Sequence, residues 1–275
     1  MAPGDVSDSI PAAPPVTPQQ DHKHQQQSQA PAASASVPAA AATHGNSPSA
    51  STITTNTLDD HGTGQKTVAE YLKAYPHLTD LDIHILSLPS DGHFTPHSWD
   101  NLHQLIGSND LHLLTRSPSQ TRAYLDWTTG VRQQFGSITN YLLQERLKWT
   151  SLGDPETQGF LFEFKNATPF ADPDDYLILQ NDWPYGLDPG IMHICVWLKT
   201  PLDLKPEDGD LTDQARGLVE EFVKTTFREP LGEEKNGERV LWFKNWAKLQ
   251  SVRGIDHVHV LVKDAPSELL KRWMK

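Results

Sequence analysis

Two short segments hold the residues best able to do chemistry, His193-Ile-Cys-Val-Trp-Leu-Lys199 and His257-Val-His-Val-Leu-Val262. Imidazole serves as nucleophile, proton shuttle or metal ligand near neutral pH. Side chains alternate across a strand. In the first segment His193, Cys195 and Trp197 therefore share one face, and Ile194, Val196 and Leu198 share the other. In the second, His257, His259 and Leu261 oppose Val258, Val260 and Val262. Each strand is aliphatic on one side and chemically mixed on the other. Two imidazoles at i and i+2 converge, and three readings fit them: a structural pair bonded to buried backbone, a metal site completed by His193 or Asp256, or a catalytic pair.

The elements that must position these histidines follow from patterning. From Gly159 onward short strands are expected at 160–164, 176–180, 191–199, 240–244 and 256–262. Among them lies an amphipathic helix from about Thr212 to Phe227, whose apolar face is Ala215, Leu218, Val219, Phe222 and Val223. A short helix begins at Ser267. The simplest arrangement is an antiparallel sheet with the amphipathic helix on its aliphatic face, leaving the histidines to look toward a cleft or toward the N-terminal helices. Upstream, Thr67 to Trp149 reads as helical. Ser98 caps a segment carrying Trp99, Leu102, Leu105 and Ile106, and Ser117-Pro118 opens a longer one in which Tyr124, Trp127, Val131, Phe135, Ile138 and Leu142 recur at helical steps. Gly136-Ser137 is its natural break. The fold class is α+β. Residues 1–65, rich in Ala, Pro, Ser and Gln, form a disordered tail. Residues 66–275 make one domain, with a helical half at 66–151 and a strand half at 152–275.

Composition narrows the function. The chain has 275 residues, 37% hydrophobic, and its 35 Asp and Glu outnumber 23 Lys and Arg for a formal charge of −12. Such a surface repels nucleic-acid phosphates and anionic lipid, so neither is an expected partner. No run of about 18 apolar residues suggests a membrane span, and no basic start with an apolar core suggests a secretory address. The lone Cys195 cannot form an internal disulfide and reads as an inert thiol on an apolar strand. Cytoplasm, or cytoplasm and nucleus, is the expected compartment. With no Gly-rich phosphate loop, CxxC pair or GxSxG elbow, no cofactor is expected. Arg253, in the loop before the histidine strand, has a fork suited to a phosphate, a carboxylate or a surface ion pair. Trp242 and Trp246 flank Asn245, where they can stack on a base or sugar ring or belong to the core.

Several longer motifs add a resemblance. Asn181-Asp-Trp-Pro-Tyr-Gly186, Trp242-Phe-Lys-Asn-Trp246 and Leu249-Gln-Ser-Val-Arg253 leading into His257-Val-His259, with Ser117-Pro118 and Tyr124 upstream, resemble the fungal N-acetylglucosamine-induced protein family, whose domain has no assigned function. That likeness covers about Thr67 to the C-terminus. The strand half alone is distantly similar to the histidine-triad (HIT) nucleotide-binding and nucleotidyltransferase superfamily, by the order of its acidic turn, His-to-Lys strand, helix, Asn-ended strand, Gln-Ser-Val turn and His-x-His strand. This second resemblance implies a HIT-like sheet with His259 as nucleophile on an α-phosphate and His257 as its orienting neighbour. It further implies Asp182 on ribose hydroxyls, Asn245 holding the histidine loop, and Gln250 and Ser251 bonding phosphate. His193, on the same sheet face, and Arg253 join the substrate-binding set. Two departures stand out: Leu261 replaces the third histidine, and the link from Val252 to His257 is longer than usual. The resulting expectation is a nucleotide or nucleotide-sugar binding protein that performs nucleotidyl or phosphoryl transfer, or hydrolysis, through His259. The alternatives are a non-catalytic sensor, which Leu261 would permit, and an HxH metal protein.

Overall fold

The computed structural model describes residues 65–274 other than Asn236. The tail read over residues 1–65 lies, but for Gln65, outside the described residues. In chain order come α1 (Val68–Ala74), α2 (Asp80–Ser87), α3 (Trp99–Gly107), α4 (Pro118–Phe135) and α5 (Ile138–Tyr141), which runs on into wide π-type turns over Leu142–Leu147. A single turn, α6 (Pro155–Gln158), precedes β1 (Tyr176–Gln180) and β2 (Ile191–Leu198). Then α7 (Asp213–Val223) continues through π-type turns over Lys224–Arg228 into α8 (Glu229–Leu231), followed by β3 (Val240–Phe243), β4 (His257–Lys263) and α9 (Ser267–Trp273). The strands form one antiparallel sheet in the order β1-β2-β4-β3. No helix among the described residues is long and apolar enough to cross a membrane.

Local chemistry explains the helical boundaries. Ser117 and Gln120 cap α4 reciprocally, each side chain taking the other's backbone N–H, and Pro118 sits in the first turn where its missing donor costs nothing. Gly136 ends α4 at φ 78°, a conformation few other residues adopt. Ser137 then caps α5 through the Asn140 N–H. The break expected at Gly136-Ser137 is therefore a stop and a restart.

The aliphatic sheet face carries the larger core. Val196, Val258, Val260 and Val262 are fully buried against Val219, Val223 and Phe227. Full burial of each such side chain contributes roughly 1.5–3 kcal/mol before entropy is subtracted. This is the face on which the amphipathic helix was expected. On the opposite face Trp99, Leu102 and Leu105 of α3 pack over Leu241, Phe243 and Leu261. Leu142, Leu143 and Leu147 close over Cys195 and Trp197.

The strand expected at 160–164 is not in the sheet. Its backbone meets Leu152, whose N–H donates to the Leu161 carbonyl at 2.7 Å. Phe162 is buried edge-on to Trp149 while Leu161 is exposed. One-sided burial gives a loop laid on a core the same alternation as a strand, which is why the pattern misled.

Candidate functional site

The register places the chemistry-bearing residues opposite one another. Cys195 pairs with His259, Trp197 with His257, and His193 with Leu261. All look away from the aliphatic core, and Cys195, Trp197, His257 and His259 face the α4–α5 layer and the turn that follows β1. Between sheet and helices lies a cavity of about 80 Å³ that opens to solvent. Its walls are aromatic, with Tyr124 and Trp127 from α4, Tyr141 from α5, Trp183 from the turn after β1 and Trp197 from β2. Trp183 is the keystone of this wall, its ring centroid 4.9 Å from Trp127 and 5.3 Å from Tyr124. The polar lining consists of Gln180, Asn181, Asp182, Asn245, Ser251, His257 and His259, with no Lys or Arg among the lining residues.

At the floor, His259 Nε2 faces the Asn245 amide nitrogen at 3.2 Å, and its Nδ1 faces His193 Nε2 at 3.0 Å and Cys195 Sγ at 3.5 Å. The amide donates to Nε2, so Nδ1 carries the ring proton and donates to His193. His259 thus spends both nitrogens inside the protein. His257 turns the other way: its Nδ1–H donates to the Ile255 carbonyl at 2.9 Å, and its ring stacks on Trp197 at 4.3 Å. A neutral His257 therefore keeps a lone pair on Nε2.

Burial sets the protonation states. Desolvation lowers His257 to about 4, assisted by Lys244. Desolvation lowers His193 to about 3, with the Arg116 guanidinium adding to it. His259 is held well below its ordinary value by burial, then by the two neighbouring imidazoles and Lys244. Burial also raises the Cys195 thiol far above its usual range. The floor is therefore neutral at physiological pH. Arg116, buried between the rings of Tyr124 and Tyr185, is one positive charge behind it, and Lys244 is another.

The expected site residues separate into groups. Asp182, Asn245, Ser251, His257 and His259 line the one cavity. Asp182 is ion-paired there with Arg146, and Ser251 hydrogen-bonds Tyr124. His193 is 2% exposed, hydrogen-bonded to His259 at 3.0 Å, and is not itself part of the lining. Gln250 braces the loop, donating to the Asn245 carbonyl at 2.7 Å. Arg253 is exposed and is not part of the lining. Asp256 is bound to Lys244 at 3.0 Å rather than completing a histidine cluster. Trp246 reaches Asn109, and Trp242 bonds Glu220 on the other side of the sheet, so neither lines the cavity. Sequence reasoning missed Arg116, Arg146 and the aromatic wall. Only the helical spacing of Tyr124 and Trp127 hinted at it, and that spacing reads equally as core.

These features define an α+β protein with a neutral imidazole and thiol floor beneath an aromatic-walled pocket. The chain belongs to the family described as "Protein of unknown function (DUF3605)", which matches residues 98–263. It is similar to "N-acetylglucosamine-induced protein 1" of Candida albicans, 33% identical over 184 residues that cover 64% of this chain and 71% of that protein. It is also similar to "Uncharacterized protein YPL067C" of Saccharomyces cerevisiae, 30% identical over 165 residues, 60% of this chain and 77% of that protein. The fungal resemblance read from 181–186, 242–246 and 249–253 is thereby met. A solved structure titled "Crystal Structure of HTC1" shares the fold, with 28% identity, a TM-score of 0.51 and coverage of 64% of this chain and 91% of that chain.

Proposed function

We propose that this protein is a cytosolic small-molecule binding protein whose pocket takes the sugar or nucleoside part of a compound such as a nucleotide sugar and does not turn it over. The observation that carries this reading is the lining itself: five aromatic side chains beside amides, a hydroxyl, a carboxylate and neutral imidazoles, with no cation. Aromatic faces stack on rings, and the amides and hydroxyl bond ring substituents. Arg146, the guanidinium next to the lining, is already paired with Asp182, and none of the lining residues is itself cationic, so any phosphate belongs at the mouth. Turnover is disfavoured because the His259 lone pair accepts from Asn245 rather than aiming into the cavity. The convergence of Asp182, Asn245, Ser251, His257 and His259 on one cavity supports transfer or hydrolysis through His259 as the second reading.

The name of the Candida relative records induction by N-acetylglucosamine, which makes that sugar and its uridine diphosphate derivative the first probes. Calorimetric titration with both, and with UMP and inorganic phosphate, tests the proposal. The sugar-bearing probes bind, Trp183→Ala weakens them about tenfold, equivalent to ~1.4 kcal/mol, and no UMP is released over hours. Equal binding of phosphate alone refutes the binding mode. Release of UMP that disappears in His259→Ala establishes the second reading instead.

A further inference from the structure

At the cavity floor His259 is joined by His193 and Cys195, two side chains that the pocket's ligand chemistry does not use. We propose that His193, Cys195 and His259 form a binding site for a soft d10 metal ion, Cu(I), held by one thiolate and two imidazole nitrogens. The site is independent of the identity of any sugar or nucleotide bound above it.

Topology brings the three together. His193 and Cys195 are two apart on β2 and point to the same face, and β4 places His259 directly opposite Cys195. One ligand atom from each, a nitrogen from either histidine and the Cys195 sulfur, all lie within 4.8 Å of one another. The His259 Nδ1 to His193 Nε2 distance is 3.0 Å and the His259 Nδ1 to Cys195 Sγ distance is 3.5 Å. Bonds of about 2.0 Å to nitrogen and 2.3 Å to sulfur require edges of roughly 3.3–3.7 Å. Small side-chain rotations therefore admit an ion without moving the strands. Cys195 and His259 both line the cavity, which supplies the way in.

A histidine that gives one nitrogen to a metal presents its other N–H to an acceptor. Behind His259 that neighbour is Asn245, 7% exposed, whose Oδ1 is buried without a hydrogen-bond partner. Turning this amide over places Oδ1 on His259 Nε2, moves the ring proton there, and frees Nδ1 for the ion.

Charge selects the metal. Soft thiolate ligands favour Cu(I), and imidazole also binds copper. A Cu(I) thiolate is neutral, whereas a divalent ion with one thiolate leaves a net positive charge in an enclosed, weakly polar site. The guanidinium of Arg116 already acts on His193, and that of Arg146 on Cys195. On binding, two Cu–N bonds and one Cu–S bond form, the Cys195 S–H bond breaks, and its proton leaves to solvent. No electron is transferred.

The test uses the full chain, stripped of metal and held without oxygen. Cu(I) is offered in competition with the chromophoric chelator bathocuproine disulfonate, and copper K-edge absorption is recorded on the resulting complex. One equivalent of copper is expected to leave the chelator. The absorption spectrum should show one sulfur and two nitrogen neighbours, a result that needs no variant. Cys195→Ala should weaken binding at least hundredfold, and Asn245→Ala about tenfold, with thermal melts confirming that both variants fold. Failure of the wild type to take copper overturns the proposal, as does copper without a sulfur neighbour or binding unaffected in a folded Cys195→Ala chain. Stoichiometric zinc binding with no copper binding overturns the charge argument and the proposal with it.

Discussion

Acidifying the metal-free protein from pH 7.5 to 5.0 should remove a large part of its stability, because its central histidines are folded in their neutral form. In the folded chain His257 protonates only near 4 and His193 only near 3, both through desolvation first. In the unfolded chain an imidazole titrates near 6.5. Between these values the unfolded chain binds more protons, so stability rises with pH there. The contribution is complete above about pH 6.5 and is lost as pH falls toward the folded values. At pH 5.0 each of the two histidines has given up about 2 kcal/mol, or about 4 kcal/mol together, by linkage. His259 and His97 are shifted in the same direction and add to this. Against a total of roughly 5–15 kcal/mol, a loss of about 4 kcal/mol lowers Tm by roughly 8–16 °C for a domain of this size. Differential scanning calorimetry at the two pH values reads it directly. Depressed carboxylates such as Asp91 and Glu220 lose their contribution only below about pH 4.5, so they do not confound this window. A Tm that stays level between pH 7.5 and 5.0, or ring signals assigned to His193 or His257 that titrate near 6.5 in the folded protein, would refute the buried neutral floor.

Other changes probe separate parts of the structure. Phe227, fully buried between α7 and the sheet, should cost about 3–5 kcal/mol as Phe227→Ala in urea unfolding; a loss under about 1 kcal/mol would contradict the packing. Ser117→Ala removes one half of the α4 capping box and should cost about 1 kcal/mol in the same assay, whereas no loss would mean that the cap is idle. The Arg146–Asp182 pair is about one-third exposed on each side, at 28% and 31%, so Arg146→Ala should change stability by under about 1 kcal/mol. By releasing Asp182 into the cavity it should still alter ligand affinity in calorimetry, and an unchanged affinity would place Asp182 outside recognition.

Much of the sheet could be read in advance because each of its central strands is aliphatic on one side only. Val258, Val260 and Val262 can be satisfied only by an apolar cover, and α7 carries the matching stripe. The breaks at Ser117 and Gly136 were legible because capping is decided by a few neighbouring residues. The segment at 160–164 was misread because burial on one side does not require a hydrogen-bonded partner strand. For the site, period two along a strand correctly placed His193, Cys195, His257 and His259 on one face. It could not reveal that His257 turns to Ile255 while His259 turns to His193, since those choices depend on carbonyls and rings from other elements. Nor could it show that Trp127, Tyr141 and Trp183, distant in sequence, meet across one cavity. The reading of Cys195 as a buried thiol on an apolar strand holds, but its neighbour His259, 64 positions away along the chain, could be matched to it only through the register of β2 and β4.

The account depends most on the aromatic-walled cavity being where a sugar-bearing ligand sits, and the eight tryptophans allow that to be read in one measurement. Indole N–H resonances can be followed by NMR while the protein is titrated with uridine diphosphate N-acetylglucosamine. The signals of Trp127, Trp183 and Trp197, which line the cavity, should move progressively to saturation. Those of Trp99, Trp242 and Trp273, which bond Gly237, Glu220 and Thr226 away from the cavity, should stay in place. Movement confined to the second group, or no saturable movement in the first, would contradict the account.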